Sequence, residues 1–268
     1  MKRIVALFCS FWILQTTFAQ SGYVDSLRQQ LDKTTTDTAR LSTIVRLAYY
    51  YQDSRPDSLL FYSKQLLEEA NHIKDQRMIS IAYASIGQHG YVTGNYSLAL
   101  QWLFKSLQLA ENINDSNRIA NTHNLIGNTY KEYGDYKRAI PHYQKCKKIA
   151  ELSNDLRMND MFGSMNLGEV YALMGVTDSA LFYSQQAYSL AVKYQSRWIG
   201  SALMCLGYTQ FLLNNKNLSL EYFREGLHSY HENFGNSRYL SIGYLAMAGI
   251  FIKNMGKPIP PFILLVWR

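Results

Sequence analysis

The chain of 268 residues lacks the short motifs that mark most catalytic sites. It contains no P-loop, no glycine-rich dinucleotide fingerprint, no HExxH helix and no pair of CxxC motifs. Its six histidines are scattered, and their one close pair, His228 and His231, has no third candidate ligand beside it. The sequence therefore predicts no catalytic residue, no metal site and no cofactor, and it favours a protein that is not an enzyme.

Cysteine and strong charge are also scarce. There are three cysteines, and the two that lie beyond the N-terminal apolar run, Cys146 and Cys205, are too few to make a disulfide framework, so we expect two small buried apolar side chains. The formal net charge is +7, with acidic and basic residues mixed along the chain. No basic surface interleaved with aromatic residues is evident, which argues against nucleic acid as a partner.

A long hydrophobic run is missing as well. The longest apolar stretch, residues 4–14, is eleven residues, whereas a transmembrane helix needs about 20. It follows the basic start MKR and precedes Thr17 and Ala19, which suit the −3 and −1 positions of a cleavage site. This pattern predicts a signal peptide over residues 1–19 and an exported mature chain without a membrane span; an uncleaved anchor or a cytosolic start are the alternatives.

A phrase of fourteen residues returns along the chain about every forty residues. GNTYKEYGDYKRAI begins at Gly127, and altered copies begin at Gly87 and Gly168. Three series of small or apolar residues keep this period: Ala48, Gly87, Gly127, Gly168, Gly207 and Gly249; Leu59, Ala99, Ala139, Ala180 and Ser219; and Ala70, Ala110, Ala150, Ala191 and Tyr230. An arginine recurs ahead of the following first helices, at Arg77, Arg118, Arg157, Arg197 and Arg238. This period indicates a solenoid of helix pairs.

The residues of the phrase explain why it forms a helix pair. Gly127 and Ala139 lack bulk, so two helix backbones can approach closely, and Tyr143 fills the space beside them. Gly134 can adopt the left-handed conformation that ends the first helix, and Asp135 can cap the second. We therefore expect each pair to bury its apolar face against its neighbours.

The pattern resembles the tetratricopeptide repeat, in which a Leu-Gly-x-x-Tyr helix pairs with an Ala-x-x-x-Tyr/Phe-x-x-Ala helix. The third repeat carries the resemblance best, with Ile126, Gly127, Tyr130, Ala139 and Tyr143. The resemblance implies an all-α fold, a right-handed superhelical solenoid of antiparallel helix pairs, with repeats of about 40 residues against about 34 in the family. It predicts an N-terminal helix at 20–36, an array of five and a half repeats at 37–256, and an irregular apolar tail at 257–268.

A broader resemblance concerns the order of segments along the whole chain. An exported start followed by VDSLRQQL, DTARLSTIVRLA and long repeats is similar to the periplasmic region of repeat-containing sensor proteins of Gram-negative bacteria. It implies the periplasm or cell envelope as the location. Pro258, Pro260 and Pro261 interrupt the sixth repeat, which suggests either a truncated product or a short docking tail. An unpaired apolar end of this kind would favour self-association.

The family resemblance also implies a binding surface, because such repeats hold peptides on the concave side lined by the first helix of each pair. Candidate partner-binding residues at these positions are Gln88, Tyr91, Asn121, Asn124, Asn128, Lys131, Glu169 and Tyr208. Asparagine side chains both donate and accept hydrogen bonds, so this stripe suits an extended peptide backbone. The predicted function is a scaffold for a protein or peptide partner; the alternative is the sensory input region of a sensor histidine kinase, truncated before its transmembrane helix.

Overall fold

The computed structural model describes residues 22–34, 36–52, 54–152 and 157–234. Every regular element in these ranges is an α-helix. The first, α1, spans residues 22–33. The others are α2 (Asp37–Tyr51), α3 (Pro56–His72), α4 (Gln76–Val92), α5 (Tyr96–Asn112), α6 (Ser116–Glu132), α7 (Tyr136–Glu151), α8 (Arg157–Leu173), α9 (Thr177–Lys193), α10 (Ile199–Leu212) and α11 (Lys216–Phe234). The predicted signal peptide (1–19), the half repeat after Phe234 and the predicted tail (257–268) lie outside the described residues and stay predictions.

Tight turns join the helices and explain part of the repeated phrase. Gly134 takes φ +85°, and the N–H of Asp135 donates to the Tyr130 carbonyl oxygen at 2.9 Å, which closes the end of α6. The Asp135 side chain then accepts from the backbone N–H of Arg138 at 3.0 Å and begins α7. This confirms the predicted role of the Gly-Asp pair.

The chain divides into two compact units, Met1–Asp115 and Ser116–Arg268. In the first unit, α2 packs on α3, α3 on α4 and α4 on α5. Helix α1 contributes Val24, Leu27 and Leu31 to the same apolar core as α2 and α3. The Arg40 guanidinium joins these elements: it binds both carboxylate oxygens of Glu69 at 2.9 and 3.0 Å and the Leu31 carbonyl oxygen at 3.1 Å.

In the second unit, each helix from α6 to α11 packs on the next. In addition, α6 contacts α8 and α8 contacts α10, so the first helices of successive pairs are neighbours. Gly127 makes the α6–α7 approach possible, because a Cβ there would lie 2.6 Å from the ring of the buried Tyr143. These findings confirm the predicted all-α fold of stacked helix pairs.

Candidate interaction surface

Three asparagines on α6 form one stripe. Asn121, Asn124 and Asn128 are spaced i, i+3 and i+7, and all three are half-buried. This spacing was visible in the sequence, because residues three, four and seven apart share a helix face. The structure adds what their side chains contact.

Each asparagine of the stripe is held by a hydrogen bond to its carbonyl oxygen. Asn159 Nδ2 on α8 donates to Asn121 Oδ1 at 3.0 Å, and Asn166 Nδ2 on α8 donates to Asn124 Oδ1 at 2.7 Å. The Tyr143 hydroxyl on α7 donates to Asn128 Oδ1 at 2.9 Å. We call the set Asn121, Asn124, Asn128, Asn159 and Asn166 the amide face.

On the three asparagines of the stripe, the Nδ2 donors make fewer hydrogen bonds than the carbonyl oxygens do. Asn121 Nδ2 donates to Asn117 Oδ1 at 2.6 Å. Within the described residues, the Nδ2 groups of Asn124 and Asn128 donate to no acceptor. Side chains that are fixed through their oxygens therefore present N–H groups that remain available to a ligand.

An ion pair continues this surface toward the C-terminal end of α6. Lys131 Nζ lies 2.8 Å from Glu169 Oε2 on α8 and 3.7 Å from Glu132 Oε1. Tyr208 on α10 has a raised pKa, first because burial disfavours its charged form and then because Glu169 adds negative charge nearby. Glu169 thus joins α8 to α6 through Lys131 and adds negative charge near Tyr208 on α10.

A pair of histidines lies behind the stripe. His123 on α6 is buried, and its Nδ1 is 2.9 Å from Nδ1 of the half-buried His142 on α7. Burial lowers the pKa of both imidazoles to about 4; the charges of His142 and Lys145 add to the effect at His123, and that of Lys145 at His142. Both rings are therefore neutral at pH 7, and one donates its Nδ1–H to the other.

The structure brings together six of the eight predicted contact residues. Asn121, Asn124, Asn128, Lys131, Glu169 and Tyr208 lie on the first helices α6, α8 and α10 of the second unit. Gln88 and Tyr91 are half-buried on α4 in the first unit and stay predictions as members of the same surface.

Sequence reasoning missed Asn159, Asn166 and the histidine pair. Asn166 stands two residues before the repeat glycine, Gly168, and Cys205 holds the same position before Gly207. Both side chains contact the first helix of the preceding pair. Asn166 on α8 contacts Asn124 on α6, and Cys205 Sγ on α10 lies 3.7 Å from the Met165 carbonyl oxygen on α8. A polar residue two positions before the repeat glycine therefore indicates a contact with the preceding helix pair, and it can be recognised in the sequence.

Neither a candidate metal site nor a candidate membrane-spanning helix lies in the part of the chain that the structure describes. No group of three or more His, Cys, Asp or Glu side chains there could hold a metal ion. None of the helices described is both long and apolar enough to span a bilayer.

Comparisons with known proteins agree with this architecture. Residues 78–151, which run from the start of α4 to the end of α7, match the tetratricopeptide repeat family model. A search of proteins with curated functions found no significant match.

Several solved structures share the fold at low sequence identity. NprR in complex with its cognate peptide NprX is 16% identical, with a TM-score of 0.67 over 92% of this chain and 70% of that one. A Rap protein complexed with Competence and Sporulation Factor is 14% identical, with a TM-score of 0.64 over 91% and 74% of the two chains. BtubC from P. vanneervenii is 14% identical, with a TM-score of 0.62 over 82% and 91%. The chain is therefore similar to tetratricopeptide repeat proteins over residues 78–151 and has a tetratricopeptide-like fold of stacked helix pairs.

Proposed function

We propose that this protein is a scaffold that binds an extended peptide segment on the amide face of its second unit. The observation that carries the proposal is the arrangement of Asn124 and Asn128. Each is fixed through its carbonyl oxygen to a neighbouring helix, while its Nδ2 group has no acceptor among the described residues. Side chains fixed before a ligand arrives lose less conformational entropy on binding.

The spacing of these donors suits an extended backbone. Four residues along a helix rise by about 6 Å, which separates the Asn124 and Asn128 positions on one stripe. Carbonyl groups two residues apart in an extended peptide face the same side and are separated by about 6.6 Å. The two Nδ2 groups can therefore donate to successive carbonyl oxygens on one side of the peptide.

The structural comparisons support the same class of ligand. NprR, whose fold resembles this chain with a TM-score of 0.67, was solved in complex with its cognate peptide. At 16% identity that likeness concerns the fold, so the ligand class for this chain depends on its own asparagines.

The experiment removes the donors and keeps the bonds that hold the helices together. Immobilised full-length protein selects a peptide from a phage-displayed random library, and the synthetic peptide is titrated by calorimetry. In the double variant Asn124→Asp/Asn128→Asp, a carboxylate oxygen still accepts from Asn166 and Tyr143, but neither residue retains an N–H donor. Loss of two hydrogen bonds predicts binding at least about tenfold weaker than in the wild type.

The matched control makes the same chemical change elsewhere. Gln144→Glu/Gln185→Glu replaces two amides by carboxylates on exposed positions of α7 and α9. Its affinity is expected to stay within about twofold of the wild type, since exposed charges at a distance are screened. If the amide-face variant keeps wild-type affinity, or loses no more than the control, the proposed surface is wrong.

A further inference from the structure

Two side chains with oxygen acceptors lie one turn apart on α8, where the amide face meets the ion pair. Asn166 and Glu169 are spaced i, i+3 and so share one face of the helix. Each uses one side-chain atom to contact α6: Asn166 through Nδ2 to Asn124, and Glu169 through Oε2 to Lys131. These contacts leave one oxygen of each side chain unused, Oδ1 of Asn166 and Oε1 of Glu169.

Asn166 is 93% buried, yet its Oδ1 accepts no hydrogen bond from any described residue. This oxygen is not among the fully buried polar atoms of the described residues that lack a partner, so it still meets solvent and a ligand can reach it. The side chain reaches across to α6, because its Nδ2 lies 2.7 Å from Asn124 Oδ1. Its oxygen is therefore held within the amide face, where a donor of a bound peptide can replace solvent.

Glu169 supplies a negative charge beside Asn166. Its side chain is 36% exposed, whereas that of its partner Lys131 is 12% exposed, so a ligand meets the carboxylate before it meets the ammonium. Lys131 also lies near Glu132, and these three groups together carry one net negative charge. Glu169 Oε1 has no hydrogen-bond donor among the described residues.

We infer that Asn166 Oδ1 and Glu169 Oε1 form a subsite for a basic side chain, arginine or lysine, of the bound peptide. Guanidinium and ammonium groups carry several N–H donors and no acceptor, so one such group can donate to both oxygens. An acidic side chain would meet two acceptors and an excess negative charge. The inference depends on the proposed peptide binding and adds the residue class that the groove selects.

The first test asks which residues are selected. Full-length wild-type protein and the Glu169→Gln variant are each used to select peptides from the same phage-displayed random library. We expect arginine or lysine to be enriched at one position with the wild type and at none with the variant. Glutamine keeps the size of the side chain and an oxygen that can accept from Lys131, so the fold should be retained; thermal melting of both proteins checks this.

The second test measures how strongly the protein prefers a peptide with a basic side chain to one with a neutral side chain. A selected peptide, acetylated at its amino end so that only the side chain provides charge, is compared with its Arg-to-Gln counterpart. The wild type should bind the basic peptide about tenfold more tightly, the effect of one charge-assisted hydrogen bond, and Glu169→Gln should bind both within about twofold. The control Glu221→Gln, an exposed carboxylate on α11, should keep the tenfold preference. Raising NaCl from 50 to 500 mM should reduce the preference to about threefold because the ion pair is half-exposed.

The outcomes separate this inference from the proposed function. Peptides that bind through Asn124 and Asn128 but show no basic preference, or a preference that survives Glu169→Gln, would overturn the subsite alone. Failure to select any peptide sensitive to the asparagine double variant would overturn both.

Discussion

Two histidines inside the second unit determine how the stability of the protein should change with pH. His123 and His142 share a single proton between Nδ1 atoms 2.9 Å apart, and burial lowers the pKa of each to about 4. In the unfolded chain both would titrate near the ordinary value of about 6.5. Because the folded pKa is the lower one, the unfolded state takes up protons first when the solution is acidified.

The size of the effect follows from these values. Above about pH 7 both states carry neutral imidazoles, and the stabilisation is fully present. Between about pH 6.5 and 4 the free energy of unfolding should fall, and at pH 5 the loss is about 2 kcal/mol for each imidazole. Since the two rings interact, we expect about 2–4 kcal/mol for the pair.

The assay is urea unfolding followed by circular dichroism at pH 7.5, 6.5, 5.5 and 5.0. The double variant His123→Leu/His142→Leu removes both titrating groups and should show a much flatter pH profile over this range. The control His228→Gln/His231→Gln removes two exposed histidines of α11 and should retain the loss seen in the wild type. An equal loss in the wild type and in the leucine variant would refute the assignment of the effect to this pair.

Two further predictions concern packing and thiol chemistry. Gly127→Ala should lower the free energy of unfolding by about 1–3 kcal/mol, because the new Cβ would lie 2.6 Å from the Tyr143 ring; Gly22→Ala, with nothing within 4 Å of the new Cβ, is the control, and equal urea midpoints for both would contradict the argument. Burial raises the pKa of Cys146 and Cys205 to about 12, so iodoacetamide at pH 8 should modify both thiols in urea; in the native protein it should spare the buried Cys146 and modify only slowly Cys205, which is half-buried and not fully buried as expected, as read by mass spectrometry. Native modification at the rate of the unfolded chain would show that these thiols are accessible.

The fold could be predicted from the sequence because its signals are local. The turn between α6 and α7 depends on Gly134 and Asp135, which are adjacent, and glycines with positive φ follow α4 and α8 in the same way, at Gly94 and Gly175. The stripe of Asn121, Asn124 and Asn128 also follows from helical spacing within one element. Local conformation and periodicity therefore indicated both the helix pairs and three of the five residues of the amide face.

The remaining residues of the amide face, and the histidine pair, depend on how neighbouring helices are aligned. Asn166 meets Asn124 across 42 positions of sequence, and His142 meets His123 across 19. A shift of one residue between two packed helices would rotate these partners by about 100° and separate them. A single sequence does not report that alignment, so the hydrogen bonds that fix the asparagines became apparent only in the structure.

The most direct test of the amide face follows the asparagine side chains themselves. In ¹⁵N-labelled protein titrated with the selected peptide, the Nδ2 resonances of Asn124 and Asn128, assigned through the single Asp variants, should shift and saturate with the calorimetric affinity. The side-chain resonances of Gln144 and Gln185, on the exposed side of α7 and α9, should stay in place. Saturable binding that moves the glutamine resonances and leaves both asparagines unchanged would contradict the account.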